Sequence, residues 1–280
     1  MTAALLRIEY AYDSIRKSAH NLNPEFPEQV SLDNCLGVHS LLARNYGDMP
    51  GWPLESLPEL ENVPSAEDRV RNRQAMINLK PLFPIFKNRK FWMVLDLFYA
   101  VEYIKTHAFF NALSYQDKRL VAARAALMLN NFTRSFYSVE RGSVIAVYPD
   151  GTNPPSLNSP FEHLTYVVHV GLVKDLDLDR SEYTLLKALF VANPAIEGLS
   201  EAGQGILGKE QQKLGKALFS HVLARRGVKE GPKAYVAMMA YTDTLLHLTK
   251  KMKELFAAHH SLGLLSSMPD TPLLFDVHWK

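Results

Sequence analysis

The chain has 280 residues, 47% hydrophobic and 21% charged, enough for one large globular domain or two small ones. Its net charge of +2 is too small for this segment to carry nucleic-acid binding by itself. Cys35 is the single cysteine, which excludes a disulfide framework or a cysteine-rich zinc module within the chain and fits a reduced, intracellular compartment; no apolar run reaches the roughly 18 residues of a membrane span.

Leu5, Ile8, Tyr12 and Ile15 recur at helical steps, so the chain opens with an amphipathic helix. Arg7, Glu9 and Asp13 inside the pattern are foreign to a signal peptide. Pro24, Pro27, Pro50, Pro53, Pro58 and Pro64 break up residues 21–64, which read as a long irregular connection with short helical turns at most. Ser65 to Asp68 has capping-box spacing and starts a helix running to about Lys80, before Pro81 and Pro84. Lys90 to Leu113, strongly apolar and lacking Pro and Gly, reads as one long buried helix. A second capping box, Ser114 to Asp117, opens a helix to about Ser138. "SVIAVYPDGT", residues 143–152, is β-branched and ends in a turn signal, which predicts one short hairpin. Helices follow over Phe161–Lys174, Ser181–Val191, Ser200–Arg226 and Pro232 to about His260. The tail "TPLLFDVHW", residues 271–279, is short and amphipathic. The sum is an all-α domain of about ten to twelve helices with one short β-hairpin and no internal repeat.

Catalytic and metal motifs do not assemble. Ser14-Ile15-Arg16-Lys17 matches one penicilloyl-serine motif without its Lys-Thr-Gly partner. Asp175, Asp177 and Asp179 open like a calcium loop, but Arg180 and Leu186 replace the loop glycine and closing glutamate. Acids there suit a helix N-terminus. His163 and His169 are six apart, on different helical faces. Phosphate-cradling glycine loops and nucleophile elbows are missing as well. The pattern points to a binding domain, with no cofactor, and away from an enzyme.

Helix grammar leaves one stretch unexplained. In "YIKTHAFFNALSYQDKRLV", Tyr103, Ile104, Lys105, Phe110, Leu113, Asp117, Lys118 and Val121 fall at the intervals of a known signature. It resembles that of nuclear-receptor ligand-binding domains, and Ala122 departs where a larger aliphatic residue is usual. The whole chain follows the family's element order, and its divergence is similar to that of the nematode receptor set related to the hepatocyte-nuclear-factor type. The resemblance implies a single domain over residues 1–280, built as a three-layer antiparallel helical sandwich. It implies an internal ion pair at Glu182, although Lys233 and Ala234 stand where the partner arginine is usual.

The resemblance makes residues 271–279 an activation helix, with His278 where a second apolar residue is common. A coactivator or corepressor helix then lies in a groove lined by Lys105, Asp117, Lys118, Val121, Leu273, Leu274 and Asp276. Lys105 meets the peptide's C-terminal carbonyls and Asp276 its N-terminal amides, the two ends of a helix dipole. By the same resemblance Trp92, Met93, Asp96, Met252, Leu255 and His259 line an apolar cavity. Arg134, with Tyr137 beside it and Arg141 one turn later, is the candidate for binding a fatty-acid carboxylate. The implied role is a nuclear, ligand-regulated transcription factor, or a constitutive receptor with a filled pocket. Homo- or heterodimerisation through residues 232–248 is implied too. DNA contact needs an upstream eight-cysteine zinc module; one cysteine excludes it here, so the chain is expected to be a fragment or a receptor without that module. No membrane partner is expected.

Overall fold

The computed structural model describes residues 1–17, 30–43, 92–149, 163–262 and 271–279. The helix expected over 65–80 and most of the 21–64 connection lie outside them. The described residues form nine helices and no strand. These are α1 (Thr2–Lys17), α2 (Leu32–Leu36), α3 (Trp92–Lys105), α4 (Ala108–Asn111), α5 (Tyr115–Glu140), α6 (His169–Leu176), α7 (Arg180–Val191), α8 (Glu201–Ser261) and α9 (Pro272–Trp279). A 3-10 turn, Leu41–Ala43, follows α2, and a wide π turn, Leu164–Val168, leads into α6. No helix of the described residues is long and apolar enough to cross a membrane.

The core sits around α5. Every residue from Ala125 to Ser138 is buried, as expected of a helix enclosed on all sides. α2, α3, α6, α7, α8 and α9 all pack on it, while α1 packs on α3 and α7, and α8 on α7. α1 is amphipathic in sequence, yet its Glu9 and Arg16 are buried. Each is matched across the core: Glu9 binds Lys187 of α7 at 2.8 Å, and Arg16 binds both carboxylate oxygens of Asp96 of α3 at 2.9 and 3.1 Å. Pairing of this kind offsets the desolvation cost of burying a charge.

The single helix expected over Lys90–Leu113 is broken at Thr106. The amides of Thr106 and His107 donate to Tyr103 and Ile104, three residues back, which tightens the last turn. The Thr106 hydroxyl also donates to the Tyr103 carbonyl, and Asn111 Nδ2 donates to the Lys105 carbonyl. These bonds take acceptors that a continuous helix would use.

α5 starts at the expected cap, where Ser114 Oγ accepts the Asp117 amide. The Asp117 carboxylate does not complete a capping box. It accepts the Ser200 amide and hydroxyl at 2.9 and 2.7 Å, and Ser200 in turn caps α8. Desolvation works to raise the Asp117 pKa, but the bonds from Ser200 and Ser114 outweigh it and hold the carboxyl below its ordinary value.

Residues 143–149, the first arm of the expected hairpin, form an irregular loop; residues 150–152 lie outside the described residues. The loop's backbone is satisfied elsewhere. The Val147 amide donates to Ser138 Oγ, the Ala146 amide to the Tyr166 carbonyl, and Arg141 to the carbonyls of Tyr148 and Pro149. With those partners filled, no ladder is needed.

Glu182 has its ion pair, with partners seven and more residues before Lys233. Arg225 Nη1 lies 2.6 Å and Arg226 Nη2 2.9 Å from its Oε2. Both arginines also donate to the Asp177 carbonyl, closing the end of α6. They stand just before Gly227, whose φ of 74° breaks α8 into the two arms that the sequence suggested.

Two predictions follow from this packing. A Cβ on Gly203 would sit 2.8 Å from Asp117 Oδ2, and that oxygen is pinned by two serines. Gly→Ala inside a helix usually stabilises by about 1 kcal/mol. Here Gly203→Ala should instead destabilise by about 1–2 kcal/mol in urea unfolding; a gain would refute the pinned carboxylate. Second, burial holds His107 and His169 at about 3 and His278 at about 4. The unfolded chain protonates these groups near 6.5 while the folded chain does not. Stability is therefore present above pH 6.5 and falls as pH drops from about 6.5 to about 4, by up to about 1.4 kcal/mol per pH unit for each histidine. His169→Leu should flatten that fall in pH-dependent melting; an unaltered slope would refute it.

Candidate functional site

Two regions hold the predicted residues, one interior and one at the surface. In the interior, Trp92 of α3 stacks on Tyr148 at 5.5 Å, and the Arg16 guanidinium lies 5.6 Å from the Trp92 ring. Asp96, expected to face a ligand, is bound by Arg16. Tyr137 donates its hydroxyl to Glu9 at 2.8 Å. Met93 is a helical position whose side chain lies outside the described residues.

Arg134 is almost fully buried. Its Nη2 donates to Asn131 Oδ1 at 2.8 Å and to the Thr165 carbonyl at 2.9 Å, and its guanidinium lies 4.9 Å from the Tyr166 ring. Asn131 Nδ2 reaches Met252 Sδ at 3.1 Å, which brings α8 to the same place. Tyr148, stacked on Trp92, also lies near Tyr166 and Arg134, so Trp92, Arg134 and Met252 belong to one interior cluster. Leu255 and His259 are half-buried toward the C-terminal end of α8, where His259 Nδ1 bonds the Leu255 carbonyl. Arg141 serves the loop after α5.

This cluster retains unmet polar capacity. Arg134 Nε and both ring nitrogens of His169 are buried, with no hydrogen-bond partner among the described residues. Burial first, and then the Arg134 charge, keep His169 neutral, with a pKa of about 3. Burying polar atoms without partners costs free energy, so such atoms mark a place for a polar group or water.

At the surface, α9 packs on α2, α3, α5 and α8. Leu273, Leu274 and Val277 are buried, and so is His278. His278 behaves as the apolar residue it replaces: its ring lies 4.2 Å from the Phe256 ring, and burial holds it neutral at about 4. Val121 is buried and Lys118 half-buried on α5. Lys105 is buried as well, with Nζ 2.6 Å from Glu102 Oε1. Asp276 Oδ2 accepts the Leu32 amide at 3.0 Å, and its Oδ1 lies 3.6 Å from Arg119. Asp117, assigned to the groove, instead ties the starts of α5 and α8.

Sequence reasoning missed several participants. Glu102 holds Lys105 and also accepts the Leu41 amide at 2.6 Å. Arg119, Asn131, Tyr148, Tyr166 and His169 carry no periodic signal that would mark them. α2 did carry one: Ser31 as cap, Leu32, Cys35 and Leu36 on one face, and Gly37 as stop.

No family model matches the chain. It is 30% identical over 261 residues to nuclear hormone receptor family member nhr-60 of Caenorhabditis elegans, covering 91% of this chain and 55% of that protein. It is 27% identical over 184 residues to nhr-209 of the same organism, covering 61% and 44%. A third relative there, nhr-154, is 28% identical over 165 residues, covering 55% and 35%. The chain thus spans about half, or less, of the length of these relatives. With the corner signature at Tyr103–Val121 and an all-helical fold, it belongs to the nuclear hormone receptor family, as a divergent ligand-binding domain of the nematode kind.

Proposed function

We propose that this domain binds a fatty acid or similar lipid and recruits coregulator helices for a ligand-regulated transcription factor acting in the nucleus. The observation that carries the ligand half is Arg134, buried with an unpartnered Nε beside the neutral, unpartnered His169. A carboxylate entering between them would accept from the guanidinium as a charge-assisted bond and from the imidazole N–H. The apolar chain would run along Trp92 and Met252. The three-layer sandwich belongs to the same reading. So does a dimer through residues 232–248, where Val236 and Leu246 are exposed on α8.

Ligand control is a population shift. α9 docks or undocks, and a ligand favours docking only as far as it binds that state better. The coregulator half rests on the docked α9, whose Asp276 already accepts the first amide of a helix.

One observation favours the constitutive reading. Trp92 stacked on Tyr148, with the Arg16–Asp96 pair beside it, fills the α3 side of the proposed pocket with the protein's own groups. Native mass spectrometry and melting separate the two. A long-chain fatty acid should co-purify or raise Tm, and Arg134→Met should cut that affinity at least tenfold. No lipid, together with no shift in either protein, would favour the filled pocket.

A further inference from the structure

α2 has five residues, too few to be stable as an isolated helix, so its conformation depends on what it touches. It packs on α3, α5 and α9, the three elements that would wall a coregulator groove. Its inward residues are Leu32 and Cys35, both buried, and Leu36, packed against the same core. They stand at positions i, i+3 and i+4, the spacing with which an amphipathic helix fills an apolar groove.

The start of α2 is held as that of a docked helix would be. At the start, Asp276 Oδ2 accepts the Leu32 amide at 3.0 Å and Ser31 Oγ accepts the Asn34 amide at 3.1 Å. A carboxylate there meets the positive end of the helix dipole. Lys105, Glu102 and Asp276 all act on the Cys35 thiol, which burial pushes up to about 12. Asp276 thus binds α2 directly, and Lys105 lies on α3, which packs against it. On its outer side, Asp33 Oδ1 accepts Tyr115 Oη and Arg119 Nε, each at 2.8 Å. The Val30 carbonyl accepts the Leu273 amide at 2.7 Å, so the segment is stapled to α9 from both strands of contact.

We propose that residues 32–36 occupy in cis the groove that takes a partner's helix, and that they leave when it binds. The inference rests on the coregulator half of the proposed function. The partner it fits is a short helix with apolar residues at i, i+3 and i+4 and free N-terminal amides for Asp276. A tethered segment competes at an effective concentration on the order of millimolar, so it lowers the apparent affinity of any incoming helix.

The test uses a fluorescein-labelled peptide with leucines at i, i+3 and i+4, followed by anisotropy. Leu32→Ser with Leu36→Ser should bind it at least tenfold more tightly than the unsubstituted chain. In that background Lys105→Ala and Asp276→Ala should each weaken binding about tenfold. Cys35 gives a second readout in the unsubstituted chain, independent of whether the double variant folds. Peptide added up to millimolar concentration should speed its alkylation at least tenfold. Equal affinities, or a Cys35 that stays protected while peptide is bound, would overturn the cis occupancy and leave the groove reading standing. No peptide binding to either chain would overturn both.

Discussion

Much of this domain is organised by one buried carboxylate. Asp117 sits at the start of α5 and holds the start of α8, 83 residues away. It accepts from a backbone amide and a hydroxyl of Ser200, and from the hydroxyl of Ser114. Two helix ends, each with amides lacking intrahelical partners, are thereby settled at one point. Gly203 is the complement, since a side chain there would meet the carboxylate. Fixing that corner fixes how the starts of α5 and α8 meet.

The same device recurs with different consequences. Asp179 and Glu182 cap α7 reciprocally, and Glu182 also gathers Arg225 and Arg226 at the break in α8. That junction is heavily paired and reads as structural. Asp276 accepts the Leu32 amide at the start of the five-residue α2. A helix of that length depends on its surroundings for its conformation. The contrast separates a carboxylate tied into two long helices from one that holds a short segment proposed to be displaceable.

Apolar periodicity and capping pairs made most of the architecture legible. Leu5, Ile8, Tyr12 and Ile15 marked α1, Ser114 marked the start of α5, and Gly227 lies where a break in α8 was expected. What stayed hidden depends on long-range partners. Nothing local tells that Glu9 will meet Lys187, or that Glu182 will meet Arg225. The break at Thr106 depends on Asn111 capping a carbonyl six residues back. The predicted hairpin failed in its described part because Ser138, Tyr166 and Arg141 satisfy the loop's backbone. Lys105 and Asp276 were named together from the signature and the tail. The element that packs beside both, α2, lay in a stretch where prolines on either side drowned a short helical signal.

The central claim is that Asp276 and the groove around it serve a helix, and that α2 holds the place. Amide hydrogen exchange resolved by NMR tests this most directly. In the unliganded chain the Leu32 and Asn34 amides should be protected. With a groove-binding peptide bound, exchange across 32–37 should rise at least tenfold while residues 273–278 stay protected. Unchanged protection across 32–37 in the presence of bound peptide would contradict the account.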